Sequence, residues 1–234
     1  YAYRAERSAL DAVQAVHKLL NTGYTEVVDA DLSGYFDSIP HAELMQCRVP
    51  SGWRRVSDKA ILHLIKLWLV APVEERDARG RTQRTTCNKD EGRGSPPTHL
   101  RCVPGSDLTL AANLYMRRFV LGWKTLGHQQ QLQARIVNYA DDFVICCRRT
   151  GPQAEAAMRD MMRRLKLTVN EKKTKLCRVP AETFDFLGFT HYCGRTRRGG
   201  RFIVWRETIR KRLRAKLQAV KQALCDDDIN HSRN

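Results

Sequence analysis

Two short apolar runs set around an acidic tip constrain this chain more than any other feature. In Ala134-Arg-Ile-Val-Asn-Tyr-Ala-Asp-Asp-Phe-Val-Ile-Cys-Cys147 each run has the length and β-branched character of a strand. The few residues between them leave room only for a tight reversal, so a hairpin with Asp141 and Asp142 at its turn is predicted. A second acid-bearing strand is predicted over Thr25 to Leu32, where alternation puts Val27, Asp29 and Asp31 on one face.

Helices interleave with these strands. Ser8 with Asp11 three residues later has the pattern of an N-terminal cap, and Ala9, Val13, Val16 and Leu20 recur at helical spacing until Gly23, which predicts a helix over about 8 to 21. Ser38-Ile-Pro-His suits the start of a further helix, and Asp58 to Leu69 reads as another with Ile61, Leu64, Ile65 and Trp68 inward. A charged hairpin is predicted from Val73, a turn-rich loop over residues 92–105, and a helix near Leu108 to Trp123. Ala154, Ala157, Met158, Met161, Met162 and Leu165 form a helical core stripe, and strands are predicted at Leu167–Val169, Phe184–Thr190 and Phe202–Trp205. Ile209, Leu213, Leu217, Val220 and Leu224 mark a basic amphipathic helix at the end. The fold class expected is α+β, with a mixed antiparallel sheet.

Charge narrows the partners. The 234 residues carry a formal net charge of +16, an excess that implies a polyanion to neutralise it, with nucleic acid first among candidates. No run of 18 or more apolar residues exists and the N-terminus lacks an apolar signal core, so no membrane is expected and the cytoplasm is the default compartment. A first residue other than Met suggests missing upstream residues. The eight cysteines include no pair at the two-residue spacing of zinc ribbons, and Cys146 and Cys147 are expected as buried thiols on opposite faces of a strand.

Phosphoryl transfer asks a protein mainly to position reactants while divalent metals stabilise the attacking and leaving oxygens. Such metals need hard oxygen ligands, and two aspartates from neighbouring strands supply them. Asp31 and the Asp141-Asp142 pair fit that plan. Alternation along a strand then gives Asp141 the central position and Asp142 a peripheral one. An Asp pair at a turn is by itself a common way of satisfying backbone groups, so the pattern gains force only from the acidic strand upstream and the strong basicity.

The same residues resemble a known family. Val27-Val-Asp-Ala-Asp-Leu-Ser-Gly-Tyr-Phe-Asp-Ser-Ile-Pro-His41 is similar to motif A of the reverse transcriptases encoded by group II introns, and Tyr139-Ala-Asp-Asp142 to their signature tetrapeptide. Tyr3 to Ser8 resembles the fingers segment before motif A, Leu167-Thr-Val-Asn-Glu-Lys-Lys-Thr174 the segment after the signature, and Phe186-Leu-Gly-Phe189 the primer-grip turn. The resemblance implies a right-hand polymerase, with fingers and palm over residues 1–205 and the start of a helical thumb or maturase region over 206–234. Palm would be mainly 24–45 and 108–205, and fingers 1–23 and 46–107.

It further implies RNA-directed DNA synthesis, with two Mg²⁺ ions (or Mn²⁺) on Asp31, Asp141 and Asp142. Phe36 would be the steric gate that excludes a 2′-hydroxyl, Lys173 would face the triphosphate, and Phe186, Leu187 and Gly188 would hold the primer end. Partners would be an RNA template, a DNA primer, deoxynucleoside triphosphates and intron RNA. Eleven Lys or Arg lie between Arg195 and Lys221 against the single acid Glu207, which suits phosphate binding by Arg197, Arg198, Arg210 and Arg214.

Two segments depart from the family, one of them Gln46-Cys-Arg-Val-Pro-Ser-Gly-Trp53. In the other, where the family carries a Thr-Pro-Gln-Gly-type loop against the incoming nucleotide, this chain has Ser95-Pro-Pro-Thr-His-Leu-Arg-Cys-Val-Pro-Gly-Ser106, without the Gln and its Gly. An RNA-binding, maturase-like module that no longer synthesises DNA therefore stands beside the polymerase as a second expectation.

Overall fold

The computed structural model describes residues 7–40, 108–197 and 199–231, the strand segments 73–76 and 82–85, and Leu44, His63 and Leu67. The helix expected over 58–69 (apart from His63 and Leu67), the loop over 92–105, the Phe36 side chain and Arg198 lie outside the described residues.

Helix α1 (Ala9–Asn21) starts as its sequence dictates: the Ser8 hydroxyl accepts from the Asp11 N–H at 3.2 Å, and the Asp11 carboxylate accepts from the Ser8 N–H at 2.7 Å. This reciprocal bond holds the Asp11 carboxyl below its ordinary range. Strand β1 (Glu26–Ala30) follows, then the one-turn α2 (Tyr35–Ser38) entered through Gly34, whose φ of 52° a side chain would disfavour. Strands β2 (Val73–Arg76) and β3 (Thr82–Thr85) pair as the expected charged hairpin. Helices α3 (Leu108–Thr125) and α4 (His128–Gln131) lead to the hairpin of β4 (Ala134–Tyr139) and β5 (Asp142–Cys147). Then come α5 (Gly151–Arg164), β6 (Lys175–Arg178), β7 (Phe184–Phe186), β8 (Phe189–Arg195), β9 (Phe202–Thr208) and α6 (Arg210–His231).

A four-stranded sheet in the order β4-β5-β1-β6, antiparallel at every pairing, centres the molecule. Alternation divides its central strands between two cores. Val28, Ala30, Phe143, Ile145 and Cys147 pack against α3 and α5, where Trp123, Phe119, Tyr115 and Met158 are fully buried. Val27, Val144, Cys146 and Cys177 face the other way, onto α1 and the antiparallel sheet β7-β8-β9. Cys146 and Cys147 are thus buried thiols on opposite faces, each pushed up by burial, Cys147 to about 12. Covering both faces explains why β5 reads as nearly continuous apolar sequence. The Glu26 carboxylate accepts from the Gly151 N–H at 2.7 Å, tying the start of β1 to that of α5.

Two boundaries differ from expectation. Leu167–Val169 is not a strand: Lys166 takes a φ of 57° to close α5, and only a single bridge, Leu32 to Val169, joins this segment to the residues that follow β1. The edge strand runs further on, over Lys175–Arg178, where four residues carry too little alternation to announce it. The expected strand over Phe184–Thr190 is a hairpin instead, because Leu187 and Gly188 both take positive φ, 50° and 88°, between the paired Phe186 and Phe189.

Candidate active site

The β1–β5 register fixes where the acids go. Partners run from Glu26 opposite Cys147 to Ala30 opposite Phe143, and one further step places Asp31 opposite Asp142. Directly opposed residues in an antiparallel pair share a face, so Asp31, Asp142 and, two residues back, Asp29 point to one side. That side is a cleft of about 140 Å³ lined by Asp29, Asp31, Asp142, Asp185, the Phe186-Leu187-Gly188 turn and Ile209. Asp31 and Asp142, 111 residues apart in sequence, therefore meet beside the Phe186-Leu187-Gly188 turn.

The tip itself is arranged differently from the expectation. Tyr139 pairs with Asp142 across a two-residue turn in which Ala140 takes a φ of 55°, so Asp142, not Asp141, begins the strand. Asp142 accordingly lines the cleft, whereas Asp141 is half-buried and its charge acts on the Tyr35 phenol. Burial pushes that phenol up, with a smaller push from Asp141, and the Tyr35 hydroxyl donates to the Ala112 carbonyl at 2.5 Å.

Asp31 is held at both backbone and side chain by the loop that follows α5. Its carbonyl accepts from the Asn170 N–H at 2.9 Å and its carboxylate from the Asn170 side-chain amide at 3.0 Å. The Asp31 N–H donates to the Thr174 hydroxyl at 3.3 Å, and the Lys173 ammonium lies 3.3 Å from the carboxylate. Lys173 is 69% exposed, so the pair adds well under ~1 kcal/mol and leaves the ammonium free to swing away. Asn170 and Thr174 lay within the motif-like segment without standing out, since a polar residue in a turn has many uses.

Electrostatically the cleft repels its own charges. Burial pushes the Asp29 carboxyl up to about 6; Lys175 opposes this, while Asp185, Asp142 and Asp31 reinforce it. Asp185, absent from the sequence-derived set, is anchored by the Thr190 hydroxyl at 2.6 Å. Among the described residues no group of three or more His, Cys, Asp or Glu is arranged to hold a metal ion by itself. Mg²⁺ seldom asks for such a cage: it keeps waters and takes one or two carboxylates plus substrate phosphates. Crowded carboxylates, half-buried at Asp29 and Asp31 and exposed at Asp142 and Asp185, offer the hard oxygens that requirement asks for.

The remaining candidates are spread around the cleft. Phe186 is buried beneath its floor, Leu187 and Gly188 are half-buried, and α2, which contains Phe36, follows Asp31 by a short turn. Arg197 is exposed at the far end of the β8–β9 hairpin, and Arg210 and Arg214 are exposed along the first turns of α6. None of these three arginines lines the cleft. No described helix is long and apolar enough to cross a membrane.

Comparison with known proteins agrees with this architecture. The chain is 27% identical to Protein YkfC of Escherichia coli (strain K12) over 224 residues, covering 85% of this chain and 56% of that protein. It thus spans little more than half the length of that relative. The fold superimposes on apo telomerase from Candida tropicalis with a TM-score of 0.51 at 12% identity, over 78% of this chain and 34% of the telomerase. The telomerase truncated from its C-terminal domain gives 0.52, again at 12% identity, over 78% of this chain and 37% of that one. Residues 1–191 match the family described as reverse transcriptase (RNA-dependent DNA polymerase). With four-fifths of its length matched, and with acids from two strands meeting over a hairpin turn, the chain belongs to the reverse transcriptase family.

Proposed function

We propose that this chain is the fingers-and-palm part of an RNA-directed DNA polymerase of the group II intron type. It would add deoxynucleotides to a primer 3′ end on an RNA template. The observation that carries the reading is that Asp31 and Asp142, next after the last β1–β5 pair, line one cleft beside the Leu187-Gly188 turn. Under this reading the palm comprises mainly 24–45 and 108–205, the fingers 1–23 and 46–107, and 206–234 opens the thumb.

Asp31 and Asp142, with Asp141 completing the set, are the residues that would hold two Mg²⁺ (or Mn²⁺) ions, which supply charge stabilisation for the attacking and leaving oxygens. The protein's own contributions are positional. Asn170 and Thr174 fix the Asp31 main chain and carboxylate. Lys173 neutralises Asp31 until a nucleotide draws the ammonium toward its phosphates. Leu187 and Gly188 form a stiff turn against which a primer end is seated, and Phe36 stands as the gate against a 2′-hydroxyl.

Primer extension on an RNA template, with Mg²⁺ or Mn²⁺, tests the reading. Asp31→Asn and Asp142→Asn should each lower extension by at least about a thousandfold, since a lost metal ligand costs several kcal/mol of barrier. Extension that survives either substitution within about tenfold sinks the assignment. The missing Gln-Gly of the 95–106 segment favours one other outcome, tight and salt-sensitive RNA binding without synthesis, and that result would select the maturase-like module.

A further inference from the structure

The sheet β7-β8-β9 has an outer face that meets the candidate active site only at its β7 edge, through Asp185. Its inner face is core: His191, Cys193 and Val204 are buried against the α1 side of the molecule. On the outer face Tyr192 is paired with Trp205, and the two rings stack with centroids 5.5 Å apart and planes 21° from parallel. Trp205 is 38% exposed.

Three features hold this pair flat and rigid. The indole lies across the backbone of Gly194, so closely that a Cβ there would come within 2.8 Å of the ring. Tyr192 is pinned at its far end, its hydroxyl donating to Glu207 at 2.7 Å. Beneath both lies a hydrogen-bonded ladder running from Phe189–Thr208 to Arg195–Phe202, backed by the core.

The surroundings select the occupant. By alternation Arg201, whose carbonyl accepts from the Thr196 N–H at 2.9 Å, continues the Trp205 face at the hairpin end, with exposed Arg197 in the turn, and α6 begins with exposed Arg210 and Lys211 at the other end. Glu207, the acid on β9, already accepts from Tyr192. A flat π-surface with guanidinium groups at its hairpin end matches a nucleobase with a flanking phosphate, whereas an apolar peptide segment would have to leave those charges unmet. Sheet-borne aromatic rings are a recurrent way of reading unstacked RNA bases, because a duplex keeps its base faces stacked on one another.

We propose that Trp205, supported by Gly194 and Tyr192, is a stacking platform for an unpaired base of single-stranded RNA, distinct from the acidic cleft. The strand's phosphates lie against Arg197 and Arg201. This site needs no catalysis and stands whether or not the chain extends primers.

Fluorescence anisotropy with the whole chain tests it, using a labelled single-stranded 12-mer RNA, a blunt duplex of the same length and a single strand with abasic positions. Trp205→Ala should weaken single-strand binding by about tenfold or more, Trp205→Phe should restore most of it, and duplex binding should change less than about threefold. The abasic strand should bind wild-type protein as weakly as the intact strand binds Trp205→Ala. Unchanged single-strand affinity in Trp205→Ala overturns the proposal. So does an equal loss on duplex and single strand, which would make the indole a mere support for the arginines. A dead Asp142→Asn enzyme with Trp205-independent binding would refute the platform alone, and Trp205-dependent binding without any extension would refute the polymerase reading alone.

Discussion

His191 should withdraw stability from this fold as pH falls from 6.5 toward 4, the window in which Asp29 acts with the opposite sign. The ring is fully buried, stacked on Phe184 at 5.0 Å and 8°, and neither nitrogen has a hydrogen-bond partner. Burial holds its pKa down at about 4; His17 of α1 and Arg206 of β9 lower it further, and Asp185 of β7 opposes them. Because the folded value lies below the unfolded value of 6.5, stability is intact above pH 6.5 and falls as the unfolded chain takes a proton that the folded chain refuses. Integrating between the two values gives a loss of about 2 kcal/mol from pH 7 to pH 4.5, with a slope of at most ~1.4 kcal/mol per pH unit. His191→Phe keeps the stack, removes the titration and relieves two unpaired nitrogens, so it should also gain roughly 1–2 kcal/mol at pH 7. Urea unfolding followed by tryptophan fluorescence measures both. Comparing the variant with wild type at each pH cancels the other acids. If the stability difference between the two proteins at pH 4.5 equals that at pH 7, the buried neutral imidazole is not the cause.

Other outcomes follow from the cleft and its rim. Asp29 carries the opposite sign: its folded value of about 6 lies above the unfolded 3.8, so its contribution is present at low pH and is lost as pH rises through 6. Asp29→Asn should therefore gain up to about 3 kcal/mol at pH 7.5 and almost nothing at pH 4, read by chemical denaturation. Asn170→Ala, which frees the Asp31 carboxylate from its amide donor, should lower kcat for extension by roughly tenfold to a hundredfold with little change in nucleotide KM, and Asn170→Gln should not restore it. Replacing Arg197, Arg210 and Arg214 together by Gln should reduce the slope of log K against log salt for RNA by about 2, leaving the unfolding curve unmoved.

What the sequence made legible is what periodicity and turn chemistry encode. The Ser8–Asp11 cap, the β4–β5 hairpin, the α5 stripe and the meeting of Asp31 with the Asp141-Asp142 tip were all readable, because each rests on neighbours in the chain or on one long-range pairing of two apolar strands. The roles within the tip were not. Alternation counted Asp141 as strand, but Ala140 enters the left-handed region and shifts the first strand residue to Asp142. Asp185 escaped because its nearness to Asp29 depends on how a second sheet docks on the first, which no local pattern records. The edge strand Lys175–Arg178 is defined by its partner β1 more than by its own residues.

One bond gives the last helix a mechanical meaning. The Ile209 N–H donates to the Gly188 carbonyl at 3.0 Å, immediately before the 22 residues of α6. That rod is about 33 Å long, so a swing of ~10° carries its far end some 6 Å while shifting the anchored end by only a fraction of an ångström. Whatever grasps the distal end thereby tugs on the Leu187-Gly188 loop, and the cleft floor feels, geared down, how the outer helix is being held.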